Sequence, residues 1–173
     1  MKDHKKIEEI FMKGHDEHSD AIFRYCYFQT SNREVALDLA QDTFIKTWVY
    51  LKDGQKVDNL KAFLYKVAKN LIIDYRRKKK SYSLEAITDT GVDFASDTEV
   101  AEEIANDFDK QFVVAQIQRL DPDHREILTM RYIDEMSIKE IADMLEETPN
   151  NVSVKIHRAI EKMKVILKEF YES

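Results

Sequence analysis

Three glycines and two prolines in 173 residues are too few to supply the turns of a sheet protein, because tight hairpins draw on glycine for positive φ and on proline for a fixed one. Long helices are what such a chain can build, and the expected fold class is all-α. With 43% hydrophobic residues, the chain can bury real cores, and its length suits one ordinary domain or two small ones. A single cysteine, Cys26, excludes an internal disulfide framework and fits a reducing compartment. No apolar run approaches a membrane span, and the start MKDHKKIEEIFMKGHDEHSD lacks the apolar core of a signal peptide. A cytoplasmic protein with no membrane insertion is expected.

Apolar residues recur at helical spacing through residues 19–80, as in Val35, Leu39, Phe44, Trp48 and Leu51. In NLKAFLYKVAKNLIIDYRRKKK, residues 59–80, an apolar stripe of Leu60, Leu64, Val67, Leu71 and Tyr75 leaves Lys66, Lys69, Asn70, Arg76, Arg77 and Lys80 on the remaining surface. Composition then flips. Acids dominate, Thr, Asp, Gly and Ser cluster, and periodicity weakens, which reads as an acidic flexible linker over residues 81–111 with a helical turn near Val100 to Phe108. From Phe112 helical spacing resumes through Val113, Ile117 and Leu120, breaks at Asp121-Pro122, and restarts through Ile127, Leu128, Met130 and Tyr132. Two small helical domains, residues 1–80 and 112–173, are expected on either side of the linker. No internal repeat relates them.

The net charge of -6 and a pI near 5.4 ordinarily argue against a nucleic-acid partner. Distribution matters more than the sum. Basic surface concentrates on residues 61–80 and acid on the linker, and at physiological salt a Debye length of about 8 Å keeps a remote acidic segment from cancelling a local basic stripe.

The stretch SIKEIADMLEETPNNVSVKIHRAIEKMK, residues 137–164, reads as two helices joined by a tight turn. Ser137 as N-cap with Glu140 three residues on makes a capping box that starts a helix at Ile138, with Ile141, Ala142 and Leu145 facing inward. Thr148 is a second N-cap with Pro149 at the first helical position, and Val152, Ile156, Ala159 and Met163 are the inward residues that follow. A helix-turn-helix presents the start of its second helix to major-groove base edges. Here that start carries Asn150 and Asn151, whose amides suit adenine, and Ser153, Lys155 and Arg158, of which the cations suit guanine or phosphate. A plain antiparallel helix pair with solvated asparagines has the same spacing.

The cationic face of residues 66–80 is open to two readings as well. Most basic faces are simply solvated, and short runs such as RRKKK also mimic nuclear import signals. The run has no acids to balance it, however, and the aromatics Phe63, Tyr65 and Tyr75 are interleaved with it, the composition of a groove that tracks phosphates and stacks unpaired bases. Residues 34–48, EVALDLAQDTFIKTW, set Asp38, Gln41, Asp42 and Lys46 beside Phe44 and Trp48, either an ordinary exposed face or the rim and anchor of a protein interface. Catalysis is not indicated. His15, His18 and Cys26 lack a second cysteine or a compact ligand set for zinc, there is no phosphate-binding glycine loop, and the carboxylates show no acid/base pairing. Neither a metal nor another cofactor is expected.

Taken in order, EVALDLAQDTF (34–44), AFLYKVAKNLIIDYRRKKK (62–80), LDPDHREILTMRYIDEMSIKEIADML (120–145) and VSVKIHRAIEKMK resemble the bacterial RNA polymerase sigma factors of the extracytoplasmic-function group. The resemblance covers roughly residues 19–80 and 112–168. It implies sigma region 2 followed by sigma region 4, a promoter-specificity subunit that does no covalent chemistry. Region 2 would dock on the clamp helices of the largest polymerase subunit through Asp38, Gln41, Asp42, Phe44 and Trp48. Minus-10 binding and promoter opening would fall to Lys66, Lys69, Asn70, Arg76 and Arg77, with the loop at residues 53–59 holding a flipped base. Region 4 would bind the flap of the second-largest subunit, with Ile127, Leu128 and Tyr132 in the flap-facing pocket or adjoining core. It would read minus-35 DNA through Asn150, Asn151, Ser153, Lys155 and Arg158. An anti-sigma factor is a common partner in the family. Departures fall at the turn, where Glu146 and Glu147 stand in place of the usual glycine and apolar residue. A stand-alone repressor or activator and a helical adaptor are the competing classes. The first needs a dimer helix that the sequence does not show, and the second leaves the cationic helix without a purpose.

Overall fold

The computed structural model describes residues 2–85 and 108–173, with side chains described over 3–83 and 111–173. Most of the stretch read as a linker, including nearly all of the turn expected near Val100 to Phe108, lies outside the described residues. Among those described, every regular element is helical: α1 (Lys2–Thr30), α2 (Arg33–Lys52), α3 (Leu60–Glu85), α4 (Phe108–Gln118), α5 (Pro122–Leu128), α6 (Ile138–Leu145) and α7 (Pro149–Glu172), with a π-helical segment over Thr129–Ile133. The chain divides into two compact units. One takes α1 up to Cys26 together with α2 and α3; the other takes Tyr27–Arg33 and everything from α4 onward.

The first unit is built on helix faces that are less apolar than the sequence pattern suggests. On α2 the buried line is Ala36, Leu39, Ala40, Thr43, Phe44, Thr47 and Leu51, spaced three or four apart as one helix face requires. Thr43 and Thr47 belong to it because each hydroxyl donates to a carbonyl four residues back, Leu39 O and Thr43 O, at 2.7 Å, so neither buried hydroxyl is left unmet. Phe11 of α1 packs at a tilt against Trp48 with ring centroids 5.0 Å apart and meets Phe44 edge-on at 6.3 Å. Those contacts give the start of α1 something to pack on, and the helix runs from Lys2 although periodicity is evident only from residue 19. Gly14 lies buried within α1, where a Cβ would run into the Leu60 side chain. Glycine is what lets α1 approach the first residue of α3 so closely.

Asn59 caps α3, its side-chain oxygen accepting from the Ala62 N–H at 3.0 Å. The buried line of α3 is Leu64, Tyr65, Ala68 and Ile72, while Val67, Leu71 and Tyr75 are only half-buried. Tyr65 is 1% exposed and meets Tyr25 edge-on at 5.1 Å. Its ring is core and cannot stack on a base. The helix also continues to Glu85, past the composition change at residue 81, since nothing between Lys78 and Ser83 breaks it.

In the second unit Asp121 caps α5, accepting from the His124 N–H at 3.3 Å, with Pro122 opening the helix. Arg125 donates to Leu120 O at 2.8 Å and Phe28 O at 2.9 Å. Phe28, Val114 and Ile117 form a buried cluster with Ile133 and Met163 packed on it. Val113, expected inward, is 45% exposed and its neighbour Val114 takes the core position. After Leu128 the helix widens: the Asp134 N–H bonds Thr129 O across five residues at 3.0 Å. The wider turn and Glu135 at φ 53° bring Met136 into the core and leave Tyr132 55% exposed. Ile127 and Leu128 are core residues of this unit.

Candidate nucleic-acid and protein interfaces

The helix-turn-helix forms with both caps in place. Ser137 Oγ accepts from the Glu140 N–H at 3.1 Å while the Glu140 carboxylate accepts from the Ser137 N–H at 2.8 Å, a reciprocal capping box. Thr148 Oγ1 accepts from the Asn151 N–H at 3.2 Å with Pro149 at the start of α7. Between them Glu146 adopts the left-handed conformation, φ 55° and ψ 43°, where a glycine would escape a steric cost of roughly 1–2 kcal/mol. The N–H groups of Glu146 and Glu147 both reach Ala142 O, closing α6 on that carbonyl.

Val152, Ile156 and Ala159 are buried and Met163 is half-buried, so α7 packs on α6 by the face expected. On α6 itself Met144 is buried and Leu145 only half-buried. Asn150, Asn151, Ser153, Lys155 and Arg158 are all exposed. They do not share one line. Asn150, Val154 and His157 lie along the outermost edge of the helix, Asn151, Lys155 and Arg158 on the flank toward the turn, and Ser153 on the opposite flank. Val154, 42% exposed, was hidden from pattern reading by its apolar character; its position two residues from Val152 and Ile156 was the available signal. Glu147, at a position expected to be apolar, is half-buried and forms an ion pair with Lys155.

On α3, Lys66, Asn70 and Arg77 share an exposed line with Ile73, which is 42% exposed, while Lys69 and Arg76 are half-buried on the flank. The cations are not wholly without acids: Arg77 donates to Asp74 Oδ1 at 3.2 Å. Such an exposed i,i+3 pair is weak and yields readily to a phosphate. Phe63 is half-buried against Tyr50, ring centroids 4.7 Å apart. The most exposed aromatic near the cationic run is Tyr82, 70% exposed on the last turns of α3, which the composition change had assigned to the linker.

Asp38, Gln41 and Asp42 are exposed on α2. Phe44 is not available beside them: it is buried, 4.7 Å from the His15 ring, and supports the helix from behind. Trp48 is half-buried with the Lys52 ammonium 5.8 Å from its ring centroid. The apolar residues presented with the acids are instead Leu37, Ile45 and Val49, at 38%, 60% and 50% exposure. Their spacing of eight and four residues puts them on one line with Gln41, a regularity readable in the sequence once Phe44 is recognised as core. Burial pushes the Cys26 thiol up to about 12, leaving it protonated and inert at neutral pH. Among the described residues no group of three His, Cys, Asp or Glu side chains is placed to hold a metal ion, and no helix is long and apolar enough to cross a membrane.

Residues 15–82 match the family described as Sigma-70 region 2, and residues 113–163 the family described as Sigma-70, region 4. The ECF RNA polymerase sigma factor SigW of Bacillus subtilis is 30% identical over 179 residues, covering 95% of this chain and 92% of that protein. The chain belongs to the ECF group of sigma-70 factors. Members of this family direct promoter-specific transcription initiation, and so does this sigma factor. The RNA polymerase sigma factor YlaC of the same organism is 26% identical over 160 residues, covering 92% of this chain and 90% of the relative. Among solved structures, the sigma factor RpoE of Bartonella quintana, in complex with the anti-sigma factor NepR, superposes with a TM-score of 0.70 at 20% identity over 92% of this chain and 98% of RpoE. CnrH, in complex with the cytosolic domain of CnrY, gives 0.66 at 22% identity over 94% and 90%. These two likenesses carry the fold. Within it, the sigma factor places the exposed α7 positions in its region 4 and the cationic α3 in its region 2.

Proposed function

We propose that the protein binds core RNA polymerase and reads a bipartite promoter, α7 taking the minus-35 element and α3 the minus-10 element during strand opening. The division into domains at residues 1–80, 81–111 and 112–173 belongs to the same proposal. The observation that carries it is the capped α6–α7 pair, with Val152, Ile156 and Ala159 buried and Asn150, Asn151, Ser153, Lys155 and Arg158 exposed along the first three turns of α7. Helix starts of this kind enter a major groove. On α3 the cations Lys66, Lys69, Arg76 and Arg77 track the backbone while Asn70 faces a base, and Tyr82 offers a stacking surface. The face of α2 made by Asp38, Gln41 and Asp42 with Leu37, Ile45 and Val49 meets the clamp helices of the largest subunit, Trp48 bordering it. The flap of the second-largest subunit meets region 4 near the exposed Tyr132.

The protein works by binding alone and performs no covalent chemistry, in the cytoplasm where the polymerase is. An anti-sigma factor holds it between uses; the assemblies of RpoE with NepR and of CnrH with CnrY support this. Run-off transcription with core polymerase from the same organism, on a promoter library with and without the protein, tests the reading. Initiation at a defined promoter set only when the protein is added is expected, and its absence would overturn the proposal.

A further inference from the structure

Glu147 stands in the turn of the helix-turn-helix at a position given no role in DNA binding, yet its carboxylate is ion-paired with Lys155 of α7. The backbone aims it there. Glu146 in the left-handed conformation reverses the chain after α6, and the bond from the Glu147 N–H to Ala142 O at 3.0 Å fixes where the next side chain starts. The carboxylate is half-buried and Lys155 half-exposed, with side-chain exposures of 24% and 49%. Lys155 is on the flank of α7 beside the turn, and Glu147 draws its ammonium back toward that turn, which places it for a phosphate rather than a base edge. A cation already balanced by a carboxylate releases less counterion from DNA than a bare one.

We propose that Glu147 is a positioning residue that withholds Lys155 from the DNA backbone, setting the affinity and salt dependence of minus-35 binding without setting its base preference. This rests on α7 being the minus-35 reader. The device reduces the pull of region 4 on arbitrary DNA, whose attraction is almost wholly electrostatic, and leaves discrimination to Asn150, Asn151 and Arg158. An acidic residue in the turn of a DNA reader then has a use.

The test is promoter binding by holoenzyme, reconstituted from full-length protein and core polymerase of the same organism, measured across a series of salt concentrations on duplexes with intact and substituted minus-35 elements. Glu147→Gln is expected to steepen the slope of log affinity against log salt by about 0.9, a gain of up to about eightfold at 0.1 M salt. The gain is equal on both duplexes. Lys155→Gln is expected to cost more in the Glu147→Gln background than alone, and Glu147→Asp, which keeps the charge, to stay nearer the wild-type slope. An unchanged slope in Glu147→Gln overturns the proposal, as does a steeper slope that persists without Lys155, because general repulsion by the carboxylate then suffices. If instead Asn151→Ala and Arg158→Ala leave minus-35 preference intact, the reading of α7 itself fails.

Discussion

α3 and α7 are both long helices with one buried face and one polar face, and on each an exposed cation is paired with an acid. The pairs differ in origin. Asp74 reaches Arg77 within one turn of α3 at 3.2 Å, a spacing any helix supplies. Glu147 reaches Lys155 across a chain reversal, from the turn to the second turn of α7, after the left-handed Glu146 has turned the chain. Counting cations therefore overstates what either helix offers to phosphate. On α3 the correction is local and weak; on α7 it is set by the turn.

Substitutions can sharpen the contrast. The largest expected effect is in the first unit: Tyr65→Ala removes a ring that is 1% exposed and should cost about 3–5 kcal/mol, read as a lowered denaturation midpoint. Tyr82→Ala, on the same helix but 70% exposed, should leave that midpoint nearly unchanged and weaken promoter opening instead. Equal effects on stability would erase the distinction between core and contact aromatics on α3. Next come the caps of the second unit, where Ser137→Ala and Thr148→Ala should each lose about 1 kcal/mol in denaturant unfolding.

Acid should act on the second unit through Asp121. Burial alone would raise its carboxyl, but hydrogen bonds from His124 and Lys162 outweigh this and hold it well below the usual carboxylate range. A group depressed in the folded state stabilises above its unfolded value, near pH 4, and that contribution disappears as pH falls from there through the folded value. Melting temperatures followed from pH 6 downward should drop over that range in the wild type and drop less in Asp121→Asn. The smallest effect is expected at the turn itself: Glu146→Gly relieves the left-handed strain against glycine's extra chain entropy, for a gain of about 0.5–1 kcal/mol. A loss in thermal melts would show that the Glu146 side chain contributes more than its backbone costs.

Much of this was legible in the sequence, for reasons that differ by element. Caps are chemistry at fixed spacing, so Ser137, Glu140, Thr148 and Pro149 announced the start of α6 and α7 to the residue. Core faces are less legible because burial follows satisfied hydrogen bonds as well as hydrophobicity: Thr43 and Thr47 are fully buried by bonding their own helix, and the ring of Tyr65 is buried although cations surround it in the sequence. Phe44 misled for the same reason, since a large ring beside acids looks like an anchor whichever way it points. The π-helical segment at Thr129–Ile133 has no signature in the local pattern, and it is what turns Tyr132 outward. The Glu147–Lys155 pair could not be read at all without the turn, whose left-handed residue is not a glycine.

Whether one chain reads two promoter elements with two helices is decided by a transcription assay over a randomised promoter library. Holoenzyme carrying Asn151→Ala with Arg158→Ala should change base preference only in the upstream element. Holoenzyme carrying Asn70→Ala should change it only in the downstream one. Changes from both variants at the same promoter positions, or no change from either while transcription persists, would show that the two helices do not divide the promoter between them.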